Sequence, residues 1–248
     1  MTINRLTGWL LAALMVSAFS LAQAQVPNGV VVLTQLADSG DADAQYGLGT
    51  WYINNQGSGA DLAKARDWLL QAARQQHVHA MYRLGVMLNQ YDELRDEAQA
   101  LDWTRSAADA GLADAQATYA MFLFQGLGGA PPNCVDAVSW LEKAGSVGHQ
   151  IAQSNLVWVL ATCPEERHRD GSRALRIGFD QVYRQGLDSA NQLDNLAAAY
   201  AAAGDYLSAE AVQKHAMAQE TDERVLAIFQ SHLESYQARR PWSELSKP

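Results

Sequence analysis

AQYGLGTWYINNQGSGADLAKARDWLLQAA, residues 44–73, is the stretch whose reading settles the architecture. Ala44, Leu48 and Tyr52 recur at four-residue spacing, which lines up one face of a helix. Gly57 and Gly59 allow a turn, and Asp61 is the expected N-cap of a second helix carrying Ala65, Trp68 and Ala72 on one stripe. Gly49 falls where the two helices cross, since a side chain there would hold the backbones apart. Trp68 reads as the large knob of the pair, with Ala65, Ala72 and Ala73 leaving it room. The pattern returns about every 35–40 residues. Its second copy holds Ala80, Leu84, Gly85, Leu88, Ala100, Trp103, Ala107, Ala108 and Gly111. The third holds Ala115, Leu123, Gly126, Gly128, Ala137, Trp140, Ala144 and Gly148. Repetition at this period predicts an all-α fold, an α-solenoid wound as a right-handed superhelix, with function carried by a surface rather than a catalytic pocket.

Outward from this block, residues 25–40 read as a lead-in and half-repeat. Pro27, Asn28 and Gly29 predict extended chain over 25–32, and Leu33 to Ser39, ending at Gly40, resembles the second helix of a pair. Full repeats follow at 41–77, 78–111 and 112–148. The third has a long turn, Gly126 to Pro132; with no Gly-Lys-Ser/Thr after it and no strand before, it is a connector and not a phosphate loop. Residues 149–220 hold two drifted pairs. The first keeps Ala152, Leu156 and Leu160, inserts Thr162 to Gly171, and resumes as a helix around Ala174 to Tyr183. The second keeps Leu196, Ala197, Tyr200, Gly204, Ala209 and Ala216. Within 221–238, Val225, Leu226, Ile228, Phe229, Leu233 and Tyr236 have helical spacing and predict a cap over the open end. Residues 239–248 are expected to form a flexible tail.

The first 24 residues have the layout of a secretory signal: Arg5, an apolar run from Leu6 to Leu21, and the small-x-small site Ala22-Gln23-Ala24. Thr7, Gly8, Ser17 and Ser20 interrupt the run and no cationic stop-transfer cluster follows, which favours cleavage after Ala24 over an anchor. A periplasmic or secreted product is expected, with no membrane span elsewhere. The net charge is −9, and loss of Arg5 makes the remainder more acidic still, which argues against nucleic acid and anionic lipid as partners.

The motif Leu48-Gly49-x-x-Tyr52, Gly57-x-Gly59 and Ala65-x-x-Trp68-x-x-x-Ala72-Ala73 resembles the Sel1-like repeat family across the first three copies. Asn155-Leu156-x-Trp158-x-Leu160 to Pro164, Arg169-Asp170-Gly171 and the fifth copy look like tetratricopeptide repeats, although Gln213 stands where an aromatic is expected. The resemblance covers about residues 33–237 and implies a protein- or peptide-binding adaptor with no cofactor. Some cysteine-rich relatives are linked to β-lactam binding or hydrolysis. That enzyme reading finds no Ser-x-x-Lys and no Gly-x-Ser-x-Gly here.

The chain has two cysteines. Cys134 opens the second helix of repeat three and Cys163 closes the first helix of the next pair, corners that neighbouring antiparallel helices bring together. In an oxidising compartment they are candidates for one disulfide; the alternative is two free buried thiols. His77, His79, His149, His168, His215 and His232 show no zinc spacing and read as surface or capping residues, so no metal is expected. Asp92, Glu93, Asp96 and Glu97 read as a solvated turn leading into a helix.

With Leu48, Leu84, Tyr119, Leu156 and Leu196 as equivalent core positions, the first helices present a concave face. Its candidate binding residues are Tyr46, Thr50 and Asn54; Tyr82, Val86 and Asn89; Thr118, Met121 and Phe124; Asn155 and Trp158; and Asn191 and Asp194. Rings supply contact area and amides hold a peptide backbone. The expected function is a non-enzymatic binding adaptor in an envelope complex, with a small-ligand or cell-wall-fragment receptor as the runner-up.

Overall fold

A computed structural model describes residues 28–55 and 59–243. The signal sequence, its cleavage site, Pro27, Gly57 and residues 244–248 lie outside the described residues. Within them are twelve α-helices and no strand. Helix α1 is Asn28–Asp38. Five antiparallel pairs follow: α2 (Ala42–Asn54) with α3 (Gly59–Arg74), α4 (Val78–Gln90) with α5 (Glu97–Asp109), and α6 (Ala113–Gln125) with α7 (Cys134–Ser146). Then come α8 (Gln150–Thr162) with α9 (Gly171–Phe179), α10 (Ala190–Ala202) with α11 (Tyr206–Gln219), and the closing helix α12 (Glu223–Gln237). Each helix packs chiefly on its neighbours in sequence, as an α-solenoid requires.

Small residues make the close packing possible. Ala65, Ala72, Ala100, Ala107, Ala137 and Ala144 are fully buried on the second helices of the first three pairs. A Cβ on Gly49 would lie 2.8 Å from Leu69 Cγ and 3.1 Å from the Ala65 carbonyl oxygen, and one on Gly85 would lie 2.9 Å from the Ala100 carbonyl. Both glycines therefore sit at the crossing, as their place in the motif predicts.

The joints between pairs repeat a polar device. The side-chain amides of Gln45, Gln116 and Gln153 donate to the carbonyls of Ala37, Ala108 and Gly145, each eight residues back in the last turn of the preceding helix. Each of those carbonyls also accepts the N–H of the turn glycine three residues on (Gly40, Gly111 or Gly148), so the glutamine fills the second acceptor position and ties the next helix to the turn. His77 and His149 cap α4 and α8: each Nδ1 accepts the N–H of the residue three ahead at 3.1 Å. Their Nε2 atoms reach Asp43 and Asp114, one repeat back, at 3.0 and 2.8 Å. The turns before α2, α6 and α8 pass through Gly40, Gly111 and Gly148 with positive φ, and Gln76 takes the same conformation (φ 63°) before α4.

The structure corrects several expectations. Residues 28–32 are helical, because Asn28 and Gly29 occupy a first turn, where helix breakers cost least, and Val30 is buried against Ala37, Ala44 and Leu48. Helix α3 starts at Gly59, so Asp61 lies in its first turn rather than at the cap. The large side chain of α3 that is fully buried is Leu69; Trp68 is half-buried against the α1–α2 cluster. The chain beyond α12 is pinned as far as Ser243, because Trp242 is buried against Tyr236 and Ala209.

Candidate functional site

The first helices of the last two pairs, α8 and α10, together with α12, enclose a groove of about 730 Å³. Asn155 and Trp158 come from α8, and Asn191 and Asp194 from α10. Helix α12 adds Val225, Ile228, Phe229 and His232, and Trp242 closes the end. Four of the candidate residues thus converge on one cavity.

Asp194 organises the floor. It is buried, and its Oδ1 accepts from Gln213 Nε2 at 2.7 Å and pairs with His232 Nδ1 at 2.8 Å. Because a carboxylate only accepts, Nδ1 carries a proton and the imidazole is held in one orientation. The His232 ring lies 4.5 Å from Trp242 and 5.4 Å from Trp158, so the three rings form one wall. Asn195 donates to the Ser154 carbonyl at 3.0 Å and ties α10 to α8. Tyr236, buried behind this floor, has its phenol pKa raised well above the ordinary range by burial, with the Asp194 charge adding to the effect. Trp242 Nε1–H is buried with no hydrogen-bond partner among the described residues. An unmade hydrogen bond of this kind favours a ligand that brings an acceptor.

The remaining candidates do not line this groove. Phe124 is core, packed among Cys134, Leu141 and Leu160, because its helical position points between α6, α7 and α8. Met121 packs against the same cluster. Asp194, which does line the groove, is a buried structural anchor rather than an exposed contact. Tyr46 stacks on His77 with ring centroids 4.8 Å apart, and Tyr82 hydroxyl meets Thr118 Oγ1 at 3.3 Å across adjacent repeats. Val86 and Asn89 are half-buried on α4, Asn54 is exposed at the end of α2, and Thr50 Oγ1 is enclosed without a partner among the described residues.

Sequence reasoning missed His232 and Trp242. His232, read as a surface or capping residue, is buried: it stands one position before Leu233 and three after Phe229, on the stripe of α12 that faces α10. A lone Trp after Pro241 in an otherwise polar tail was the available signal for the other. Gln213, the departure from the tetratricopeptide pattern, is explained by its bond to Asp194.

Cys134 and Cys163 form a disulfide between the start of α7 and the residue that caps α8. His77 and His149 are helix caps, in keeping with their reading. Asp96 caps α5 and accepts from the backbone and side chain of Gln99, which lowers its pKa, so the acidic run is a helix entry. Among the described residues no cluster of three or more His, Cys, Asp or Glu could hold a metal ion, and no helix is long and apolar enough to cross a membrane.

The Sel1 repeat model matches residues 42–77, 78–112 and 113–149. No curated protein matches the chain. Among solved structures, a Sel1 repeat protein from Oxalobacter formigenes is 32% identical, over 52% of this chain and 96% of its own, with a TM-score of 0.45. A protective antigen of uropathogenic Escherichia coli displaying an SLR fold is 22% identical over 85% of this chain, with a TM-score of 0.51. This chain spans about half (54%) of that antigen's length, and the likeness is one of fold. Three successive repeats built on Leu48-Gly49, Leu84-Gly85 and Tyr119-Ala120, matched by the family's own model, identify residues 42–149 of this chain as three Sel1 repeats.

Proposed function

We propose that this chain is a non-enzymatic adaptor that binds an extended segment of a protein partner in the α8–α10–α12 groove. Repeats of this family serve in general as protein–protein interaction surfaces, and a solenoid offers an elongated one. The observation that carries the reading is the pairing of an aromatic wall, Trp158–His232–Trp242, with amides at Asn155 and Asn191 and a Trp242 N–H that has no partner among the described residues. An extended peptide supplies what these groups lack: a carbonyl every residue and side chains to cover rings. Ile151 and Ile228, both exposed, give the rim apolar contact area. A periplasmic or secreted setting fits the signal-like N-terminus and the disulfide, and the partner is then an envelope or extracellular protein.

A photo-crosslinker in place of Ile228 tests this, against the same group in place of Leu207, which is exposed on α11 outside the groove. A discrete adduct at Ile228, absent at Leu207 and lost on adding Asn155→Ala and Asn191→Ala, is the expected result. Equal adducts at both positions would sink the groove assignment. The runner-up is a cell-wall-fragment receptor, favoured by the same aromatic and amide walls. Soluble muropeptide that raises the melting temperature and blocks the adduct would select it.

A further inference from the structure

On the other side of α8 lies a second cavity, of about 720 Å³, bounded by α7, α8, α9 and the turn after it. Its size is that of a site for a drug-sized ligand. Leu141, Leu156, Leu175 and Ile177 give it an apolar lining. Helix α9 does not end cleanly: Asp180–Arg184 form a π-helical turn, with the Gln185 N–H donating to the Asp180 carbonyl five residues back. Such turns insert a residue into a helix and re-aim its side chains. Here the turn carries Gln181 onto the cavity wall. Gln181 is only 3% exposed, and its Nε2 has no hydrogen-bond partner among the described residues.

Four charged residues line the cavity, Glu142, Asp180, Arg176 and Arg184, and three of them stand in ion pairs. Glu142 is paired with Arg173, and Asp180 with Arg184 at 3.2 Å. Arg176, which lines the same cavity, has no ion-pair partner among the described residues. The apolar chamber therefore holds one buried amide without a partner among the described residues and, at its exposed rim, one guanidinium outside the ion pairs. The ligand that answers both is an apolar chain ending in a carboxylate: the chain covers the leucines, and the oxygens accept from Gln181 and Arg176.

We infer that the α7–α9 cavity binds an apolar small-molecule carboxylate of the medium-chain fatty-acid type, with Gln181 and Arg176 as its headgroup contacts. The site is separate from the α8–α10–α12 groove and stands independently of the adaptor reading.

Isothermal titration of the oxidised full chain with decanoate, kept below its micelle-forming concentration, is the test, with decanol and decyltrimethylammonium as probes of the same tail. Saturable binding of decanoate, at least tenfold tighter than either probe, is expected, as is a loss of about tenfold in Arg176→Ala, an exposed position whose replacement leaves the core alone. Gln181→Leu should lose binding while raising the melting temperature of the ligand-free protein, since it removes a buried donor without a partner. The inference is overturned if decanoate shows no saturable binding up to about 1 mM. Equal affinity for decanol, or a Gln181→Leu variant that melts lower, would overturn it too.

Discussion

The first three helix pairs and the last two are built to different rules. From Ala42 to His149 the chain repeats one solution: small residues at the crossings and a left-handed turn residue at each joint, with a glutamine reaching back to the previous helix at Gln45 and Gln116. After His149 that solution loosens. The residue that follows the core position runs Gly49, Gly85, Ala120, Val157, Ala197 along the chain, so the late crossings must accommodate a side chain. A polar network replaces apolar contact under α12, a π-turn ends α9, and the two large cavities flank α8. Faithful repetition fills space, and departures from it leave space that can hold a ligand.

The largest effect is expected where the two regions join. Replacing Cys134 and Cys163 with Ser frees a separation of 29 residues and should cost about 3.5 kcal/mol in chemical denaturation. If the bond couples the regions, the oxidised protein unfolds in one transition and the variant in two. A single unshifted transition in both would show that the halves are coupled without it. Next is Asp194→Ala, which strands Gln213 and His232 in the interior and should cost about 3 kcal/mol. Hydrogen exchange should then quicken over α10 to α12 and remain slow over α2 to α5. Uniform quickening would erase the distinction between the regions.

Smaller effects probe the repeated part. Gly49→Leu drives a side chain into Leu69 and the Ala65 carbonyl and should cost about 2 kcal/mol; an unchanged melting temperature would contradict the crossing geometry. Gln76→Gly should stabilise by about 1 kcal/mol, because only this joint among the four equivalent ones holds a non-glycine residue at positive φ. A lower melting temperature would mean that the Gln76 side chain makes up for its backbone.

This contrast also explains what could be read from the letters alone. Leu48-Gly49 and Leu84-Gly85 announce helix crossings because each motif acts on its own neighbours, within one repeat. Cys134 and Cys163 could be offered as a pair because solenoid topology brings the corners of neighbouring antiparallel helices together across one joint. Asp194 could be placed on the right helix, but its role depends on Gln213 and His232, which lie 19 and 38 residues on. No local pattern marks that partnership. Phe124 shows the opposite failure: the helical period puts it near the face, and the neighbouring helices α7 and α8 draw it into the core. Trp242 escaped because a tail of polar residues gives no period against which one ring stands out.

At three of the four joints a glutamine reaches back only eight residues, and the capping histidines reach one repeat. A gene encoding such a chain can gain or lose a whole unit by recombination, say at the boundary between residues 77 and 78, and every surviving joint finds its usual partner. The disulfide is the exception. It fastens the last regular unit to the first irregular one, so length can vary upstream of Cys134, while the spacing from there to the two cavities is held constant.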